Sequence, residues 1–365
     1  MKIVIDARES GTSTGRYIDK LVENLQKIDR INQYIVLYLP HRFNEVTLSA
    51  DNFIKVKTRY KEFTFGEQIG FVRQLYGLKA DLVHFGMIQQ PILYFKKSIT
   101  TMHDLTTVRF RNPAKSRIHY WLRLPPYWLV IQLVARRAKA IITPSTYVLE
   151  DVRKFTKHRP KNGVVTHESA DVIADKSEPI AELQGKQFIM YVGRPTPHKN
   201  LERLIDAFAI IQKNIPELRL VLAGKKDPLM EGHESYAKDK SIKNVTVTGF
   251  VSEGQLRWLY ENTACYTFPS LSEGFGLPGL EAMKHGAPVA SSKATCLPEI
   301  YGDAATYFSP YSSIEMAQVI EDVIVHKKLK ASLIAKGKKQ AAKYSWQRMA
   351  EQTLAVYKKS TNRGQ

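Results

Sequence analysis

Two glutamates eight residues apart, Glu273 and Glu281, flank a glycine-rich turn that leads into a helix. The pattern predicts an apolar strand from Cys265 to Phe268, the turn Glu273-Gly274-Phe275-Gly276, and an apolar-periodic helix beginning near Pro278. Glycines let the backbone come close to a ligand, and a helix start directs N–H groups toward it. Both carboxylates can face the mouth of the turn, because position 281 lies one turn into the helix. From the residues alone, a ligand site and two structural glutamates, one of them favoured by the helix dipole, both remain open.

A second candidate is a pair of basic residues at a strand-to-helix crossing. The apolar strand Phe188 to Val192 ends in Gly193-Arg194, and Lys199 stands at the start of a helix with clean helical periodicity. A bidentate guanidinium and a compact ammonium beside a helix N-terminus suit a diphosphate. Two basic residues in one loop are also common as plain surface charges.

Polar residues also follow strands in the first half of the chain. The strand Ser98 to Met102 delivers His103-Asp104, Gly15-Arg16 opens the helix after the first strand, and Ser145 is the predicted N-cap of a later helix. The carboxyl ends of strands are where open α/β sheets bind ligands. Local hydrogen-bonded turns are the competing explanation for the His-Asp pair and for the glycine loop.

The elements that must position these residues alternate between apolar strands and amphipathic helices, which is typical of doubly wound α/β domains. At 365 residues the chain is too long for one ordinary core. We expect two Rossmann-like domains, an N-terminal one at 1–174 and a C-terminal one at 175–342. We expect the helix within 343–365 to cross back onto the first domain, as the resemblance described next implies.

The central stretch resembles the Glu-x7-Glu signature of glycosyltransferase family 4, a family of retaining GT-B enzymes, with Glu273 and Glu281 in the acidic positions. The match includes Gly274-Phe275-Gly276-Leu277-Pro278, Gly286-Ala287-Pro288-Val289 and Leu297-Pro298-Glu299. It is strong in the second half of the chain and looser in the first. The resemblance implies a GT-B fold, in which two Rossmann-like doubly wound domains face each other across a cleft. It also implies that the N-terminal domain at 1–174 is the acceptor-side domain and that the C-terminal domain at 175–342 is the nucleotide-sugar donor domain.

The resemblance also implies the activity, which is retaining transfer of a hexose from a nucleotide-diphosphate sugar to a hydroxyl of a glycan or lipid-linked acceptor. Such a reaction belongs to the synthesis of cell-surface polysaccharides or glycolipids. The implied catalytic residues are His103, Arg194, Lys199 and Glu273. The implied donor-binding residues are Gly15, Arg16, Ser145, Gly193, Arg194, Lys199, Glu273, Gly274, Phe275, Gly276, Leu277 and Glu281.

Each implied role follows the family motif. Arg194 and Lys199 match its Arg-x4-Lys pyrophosphate clamp, Glu281 its ribose contact, and Glu273 with the amides of 275–277 its sugar contacts. His103 matches the histidine near the anomeric carbon and acceptor. Two departures stand out, since the first loop lacks a glycine near Ser13, and the turn at 167–171 reads His-Glu-Ser-Ala-Asp in place of an Asn-Gly-Val-Asp-like turn.

Composition narrows the classes of protein to which the chain could belong. Hydrophobic residues make up 44% of the chain, and the two cysteines, Cys265 and Cys296, predict buried free thiols and not a disulfide framework. The start reads as a strand without a signal peptide, and no stretch reaches the roughly 18 apolar residues of a membrane span. We therefore expect a cytoplasmic protein. No metal-ligand spacing occurs, so we expect no cofactor and metal-independent transfer.

The net charge of +19 predicts anionic partners. No nucleic-acid module is recognisable, which leaves phosphorylated small molecules and acidic membranes. Basic and aromatic residues mix at 59–79 and 109–139, so peripheral binding to the inner face of the plasma membrane is one hypothesis. Ordinary surface helices with basic rims are the other.

Two other functions remain compatible with the sequence. A nucleotide-sugar epimerase on the same fold needs no acceptor, so product analysis separates it from a transferase. A non-catalytic nucleotide-sugar binding protein on the membrane is excluded once any donor turnover is detected.

Overall fold

The computed structural model describes residues 1–111, 116–157 and 162–361. Parts of the predicted 109–139 stretch and of the 343–365 segment, namely 112–115 and 362–365, lie outside the described residues. The chain divides into two compact units. The first comprises Met1–Leu105, Ile118–Glu168 and the chain from Ser345 on, and the second comprises Thr106–Arg117 and Ser169–Tyr344.

The strands of the described residues are β1 (Lys2–Asp6), β2 (Gln33–Tyr38), β3 (Phe53–Lys57), β4 (Leu82–Phe85), β5 (Ser98–Thr101), β6 (Ala140–Thr143), β7 (Gly163–Val165), β8 (Phe188–Val192), β9 (Arg219–Ala223), β10 (Val245–Gly249), β11 (Cys265–Phe268), β12 (Val289–Ser292) and β13 (Ala305–Phe308). The α-helices are α1 (Arg16–Ile28), α2 (Pro40–Glu45), α3 (Val72–Gly77), α4 (Thr106–Arg109), α5 (Arg117–Arg137), α6 (Thr146–Thr156), α7 (Leu201–Ile211), α8 (Pro228–Asp239), α9 (Glu253–Asn262), α10 (Leu277–Lys284), α11 (Leu297–Tyr301), α12 (Ser313–Val325), α13 (Lys327–Ala341) and α14 (Trp346–Thr361). A π-helical turn spans Glu67–Phe71, and 3-10 turns span Ala181–Leu183, Pro197–Lys199 and Gly302–Ala304.

The first unit is built on a parallel sheet with the strand order β3-β2-β1-β4-β5-β6-β7. Its strands are apolar because both faces of the sheet are covered. On one face, Val4, Leu37 and Phe85 pack with Phe71 and Leu75 in a buried cluster. The chain proceeds from β1 to β2 on one side and later to β4 on the other, so the strand order reverses between β1 and β4.

The C-terminal helix α14 packs on the first unit through its buried face. His84 of β4 has its Nδ1 2.7 Å from the hydroxyl oxygen of Tyr357 and its Nε2 2.9 Å from Thr101 Oγ1. Burial lowers the pKa of His84 to about 3, with a smaller contribution from His103. The imidazole is therefore neutral, and each ring nitrogen has a hydroxyl partner. Lys97 also donates to the Thr361 carbonyl oxygen at 3.1 Å.

The second unit repeats the plan with the parallel order β10-β9-β8-β11-β12-β13. Here the order reverses between β8 and β11, which are hydrogen-bonded neighbours. Side chains at helix starts support the fold locally. Asp227 caps α8 by accepting from two backbone N–H groups, and Ser252 and Gln255 form a reciprocal capping box on α9.

Two doubly wound α/β units agree with the predicted fold class. The sequence patterns did not predict α8, β12 or β13. Within the described ranges, no helix is both long and apolar enough to span a bilayer.

Candidate functional site

The predicted donor residues of the second unit lie in the loops that follow β8 and β11, except Leu277 and Glu281, which lie in α10 directly after the second loop. Because parallel neighbours end at the same sheet edge, these loops meet there. The strand order reverses at this pair, and open α/β sheets bind ligands at such a point, outside the carboxyl ends of the strands. The residues that the sequence patterns predicted in the two loops therefore lie at one edge of the sheet.

An ion pair joins the two loops. Lys199, the last residue of the 3-10 turn after β8, places its Nζ 2.6 Å from Glu273 Oε1. The two side chains are only 19% and 12% exposed. The ammonium also lies 5.7 Å from the ring centre of Phe268, at the end of β11. The arrangement holds a positive charge at a fixed position on the sheet edge, with donors available to an incoming anion.

The backbone of Glu273 is held by the segment after β12. Its N–H donates to Thr295 Oγ1 at 3.1 Å, and Cys296 Sγ donates to the Glu273 carbonyl oxygen at 3.3 Å. Thr295 adopts a left-handed conformation with φ of 52°. Burial raises the pKa of the Cys296 thiol well above its usual value. Cys296 is therefore a protonated thiol that positions the loop.

The glycine at the start of α10 is required by packing. Gly276 has φ of 90°, and the Tyr301 hydroxyl donates to its carbonyl oxygen at 2.5 Å. A Cβ on Gly276 would lie 2.5 Å from the Tyr301 hydroxyl oxygen, and one on Gly279 would also meet the Tyr301 ring. Phe275 is buried and makes an edge contact with the Tyr344 ring at 5.4 Å. Of the predicted donor residues, Phe275 and Gly276 thus have contacts inside the unit that explain their identity.

Glu281 is the fifth residue of α10, whose first residue is Leu277, while Gly274 lies in the preceding turn. The buried Tyr260 donates its hydroxyl to Glu281 Oε2 at 3.3 Å. This bond orients a carboxylate that still has acceptor capacity.

Arg194 lies on the same loop as Lys199 but has a different carboxylate neighbour. Its side chain is 66% exposed, and its Nε is 3.8 Å from Asp227 Oδ2 at the start of α8. Gly193 before it has φ of 142° and donates its N–H to the Ala223 carbonyl oxygen at 3.0 Å. The structure therefore joins Lys199 to Glu273 and leaves Arg194 beside Asp227.

In the first unit, His103 follows β5 and is held from both sides. Its Nδ1 is 3.0 Å from Glu168 Oε1 and its Nε2 is 3.1 Å from the Gly86 carbonyl oxygen. Burial acts to lower the pKa of His103, but the hydrogen bond and charge of Glu168, with smaller contributions from the Gly86 carbonyl oxygen and the charge of Asp104, outweigh it, so the pKa is raised. Both nitrogens face acceptors, and only the doubly protonated imidazolium donates to both. The Tyr17 ring packs edge-on at 4.9 Å.

The other predicted residues of the first unit occupy helix starts. Gly15 is the N-cap of α1, and a Cβ there would collide with the Glu9 carbonyl oxygen, so the turn requires glycine. Arg16 is the first residue of α1. Ser145 is the N-cap of α6 and accepts from the Val148 N–H at 3.3 Å, which explains it as a structural cap.

A buried cationic group with three carboxylates lies at the end of β1. The Arg8 guanidinium lies 2.8 Å from the Asp6 carboxylate and 2.9 Å from that of Glu67. The Glu62 carboxylate is 3.5 Å away. The guanidinium carbon also lies 4.1 Å from the ring centre of Phe71. Burial, partly opposed by the charge of Arg8, raises the pKa of Glu62 to about 7. Asp6, Arg8 and Glu62 line a small pocket with Gly15.

Sequence reasoning missed several contributors to these sites. Glu168 was noted only as part of a departing turn, and Thr295, Tyr301 and the Arg8 cluster were not singled out. A carboxylate shortly after β7 could have been placed at the edge that carries His103, because both follow parallel strands of one sheet. Among the described residues, no group of three or more His, Cys, Asp or Glu side chains is arranged to hold a metal ion.

Both the second unit and the overall fold are similar to those of known proteins. Residues 172–340 match the family model described as Glycosyl transferases group 1. Sucrose-phosphate synthase from Thermosynechococcus elongatus matches with a TM-score of 0.78 at 18% identity, over 98% of each chain. Anabaena HepE in complex with UDP and glucose matches with a TM-score of 0.74 at 17% identity, over 98% of this chain and all (100%) of that one. The chain therefore has the GT-B fold, which confirms the predicted fold class.

Two curated relatives carry the comparison further. The serotype-specific mannosyltransferase WbdA of Escherichia coli is 30% identical over 269 residues, which are 68% of this chain and 32% of the relative. The Escherichia coli O-antigen chain mannosyltransferase B is 28% identical over 280 residues, 72% of this chain and 70% of the relative. The chain thus spans about a third of the length of WbdA.

Proposed function

We propose that this protein is a retaining glycosyltransferase of glycosyltransferase family 4. It transfers a hexose from a nucleotide-diphosphate sugar to a hydroxyl of a glycan or lipid-linked acceptor. The reaction belongs to the synthesis of a cell-surface polysaccharide or glycolipid. Residues 1–174 serve the acceptor, 175–342 bind the donor, and the helix within 343–365 completes the first domain.

The observation that carries this proposal is the Lys199–Glu273 pair at the point where the strand order reverses between β8 and β11. It joins the two loops that carry the Glu-x7-Glu and Arg-x4-Lys resemblances. A cation and a carboxylate fixed at this edge suit a ligand that has both an anionic diphosphate and a hydroxyl-rich sugar.

Each charged group then has a task. Lys199 and Arg194 neutralise charge on the diphosphate leaving group, which is the main electrostatic requirement of the transfer. Glu273 accepts hydrogen bonds from the donor sugar, and the backbone N–H groups of residues 275–277 donate hydrogen bonds to it. Glu281, oriented by Tyr260, accepts from the ribose hydroxyls.

The remaining roles are proposed from the family resemblance. His103 contacts the transferred sugar as an imidazolium, because Glu168 and Gly86 hold both of its ring nitrogens. It therefore acts as a hydrogen-bonded cation and not as a proton acceptor. Gly15, Arg16 and Ser145 of the first unit and Gly193 of the second complete the proposed set of donor-binding residues.

The activities after which similar proteins are named support the substrate class. Both relatives above are mannosyltransferases, one of them of an O-antigen chain, and HepE was solved with UDP and glucose. We therefore propose a hexose donor and a polysaccharide acceptor for this chain.

The test begins with thermal stabilisation of the purified protein by a panel of UDP-, GDP- and ADP-sugars. The stabilising donor is then incubated with glycan and lipid-linked acceptors, and the product is examined by mass spectrometry and NMR. We expect a new glycoside with the anomeric configuration of the donor. A product of inverted configuration would refute retention, and an altered donor sugar formed without acceptor would indicate an epimerase.

We also propose that the transfer needs no divalent metal ion, because Lys199 and Arg194 supply the positive charge that a metal would otherwise give. Transfer should persist in EDTA at the untreated rate. Activity that is lost in EDTA and restored by Mg²⁺ or Mn²⁺ would contradict this.

A further inference from the structure

Helix α5 presents apolar side chains on two faces, although a surface helix ordinarily needs one. Tyr127, Ile131 and Val134 are buried in the first unit. Away from that face, large apolar side chains recur at helical spacing and are exposed by 44–71%: Ile118, Trp121, Leu122, Trp128 and Leu129. Packing within the chain explains the first face but not the second.

A loop before the π-helical turn lies against α5. The ring of Phe63 is 6.0 Å from that of Tyr127, and the guanidinium carbon of Arg123 is 5.9 Å from the Phe63 ring centre. Phe63, Phe65 and Ile69 are 50%, 91% and 70% exposed. The loop therefore adds exposed aromatic surface next to the helix.

A second loop adjoins both segments. Arg137 at the end of α5 donates to the Ile92 carbonyl oxygen at 2.9 Å and lies 5.1 Å from the ring centre of Phe95. The Ile92 N–H donates to Gln68 Oε1 at 2.9 Å. Leu93 and Phe95 are 46% and 66% exposed. The exposed apolar residues of α5, of 63–69 and of 93–95 thus form one connected region, which we call the α5 surface.

Helix α5 contributes basic residues and no acidic residues to the α5 surface. Residues 117–137 contain arginines but no aspartate or glutamate, and Arg123, Arg136 and Arg137 are exposed. Glu62 of the neighbouring loop and Glu67 of the π-helical turn are both turned to Arg8. Exposed aromatics beside arginines, on a helix without acidic residues, complement an acidic headgroup layer above an apolar interior.

We propose that the α5 surface docks on an anionic lipid bilayer. Its tryptophans and phenylalanines enter the boundary between headgroups and acyl chains, and its arginines contact acidic headgroups. The inference rests on the proposed function in one respect only, namely that the proposed acceptor is lipid-linked. Docking itself requires no catalytic activity.

The test is co-sedimentation of the full chain with phosphatidylglycerol vesicles and with phosphatidylcholine vesicles. Two of the four tryptophans, Trp121 and Trp128, lie on the α5 surface, whereas Trp346 is buried. Binding should therefore shift tryptophan emission to the blue. We expect strong binding to the acidic vesicles and little to the neutral ones. Absence of binding to acidic vesicles would overturn the proposal.

Paired variants identify the surface. Trp121→Ser with Trp128→Ser should weaken partitioning by at least about tenfold, because aromatic insertion is lost. Phe250→Ser with Ile314→Ser is the matched control, since these residues of the second unit are 87% and 72% exposed. Equal loss in both pairs, or no loss in the first, would refute the assignment. Self-association of the unmodified chain that the tryptophan variant abolishes would instead make the surface a protein interface.

The contribution of the arginine charges is tested with a variant that combines Arg123→Gln and Arg136→Gln. This variant should weaken binding to acidic vesicles by roughly 30-fold at low salt. Lys327→Gln with Lys328→Gln, on α13, removes the same charge elsewhere and should have little effect. Thermal stabilisation by the nucleotide-sugar donor should be unchanged in all four variants. Failure of donor binding in the unmodified chain would count against the proposed function, and failure of vesicle binding alone would count against the docking surface.

Discussion

Replacing Lys199 with methionine should destabilise the second unit and nearly abolish transfer. The substitution keeps the length of the side chain but leaves the 12% exposed Glu273 carboxylate without its partner at 2.6 Å. Glu273→Gln should leave the ammonium equally uncompensated. The double variant removes both charges, so it should cost less than the sum of the two single changes.

The expected coupling energy of the Lys199–Glu273 pair follows from the distance between the two charges and from their burial. Two unit charges 2.6 Å apart attract by about 6 kcal/mol at an effective dielectric constant of about 20, and desolvation offsets most of this. Exposed pairs contribute up to about 1 kcal/mol, whereas breaking a fully buried pair costs about 3–5 kcal/mol. At 19% and 12% exposure the pair lies between these limits, so we expect about 2 kcal/mol of coupling.

Chemical denaturation of the four proteins measures that coupling, and donor turnover measures the function. Lys199→Met should lower turnover by roughly 10²–10³, the scale for removing a preorganised charge. Lys293→Met is the matched control, because its ion pair with Glu315 at 3.3 Å is 58% and 40% exposed. Additive stability changes would refute the geometry, and turnover that matches the control would refute the catalytic role.

Three further outcomes are expected. Gly276→Ala should destabilise by about 3 kcal/mol in denaturation experiments, because its φ of 90° and the Tyr301 hydroxyl leave no room for a Cβ; unchanged stability would contradict this. The raised pKa of His103 means that its pair with Glu168 stabilises fully below the unfolded value of about 6.5, and that this stabilisation is lost as pH rises through the raised pKa. Glu168→Gln should therefore cost more stability at about pH 5.5 than at about pH 9, and an equal cost at both would count against the charged pair. Glu281→Ala should weaken donor affinity more than turnover, which calorimetric titration and single-turnover kinetics separate, and intact affinity would remove its ribose role.

Much of the local structure was predictable from the sequence. Apolar runs bounded by glycine and polar residues predicted β8 and β11 with the observed bounds, and Ser145 was recognised as an N-cap. These features depend on neighbouring residues, because strand period, helix period and caps are local properties of the chain. The alternation of the elements was likewise enough to predict two doubly wound units.

The identity of the partners could not be read in the same way. Lys199 and Glu273 are 74 positions apart, His103 and Glu168 65, and His84 and Tyr357 273. Strand alternation places such residues at a sheet edge, but strand order and loop path decide which of them touch. The patterns suggested Arg194 and Lys199 as one clamp, and only the structure showed their separate carboxylate neighbours, Asp227 and Glu273.

The glycines show the same division. From the sequence, Gly276 predicted a close approach of backbone to a ligand, because a missing side chain indicates only that space is needed. Tertiary packing decided what fills the space, since Tyr301, 25 residues later, puts its hydroxyl against that backbone. The sequence by itself therefore determined which elements form and where their conformation is special. The long-range packing of the sheets determined which atoms meet there, because contacts between distant residues exist only once the strands are ordered side by side.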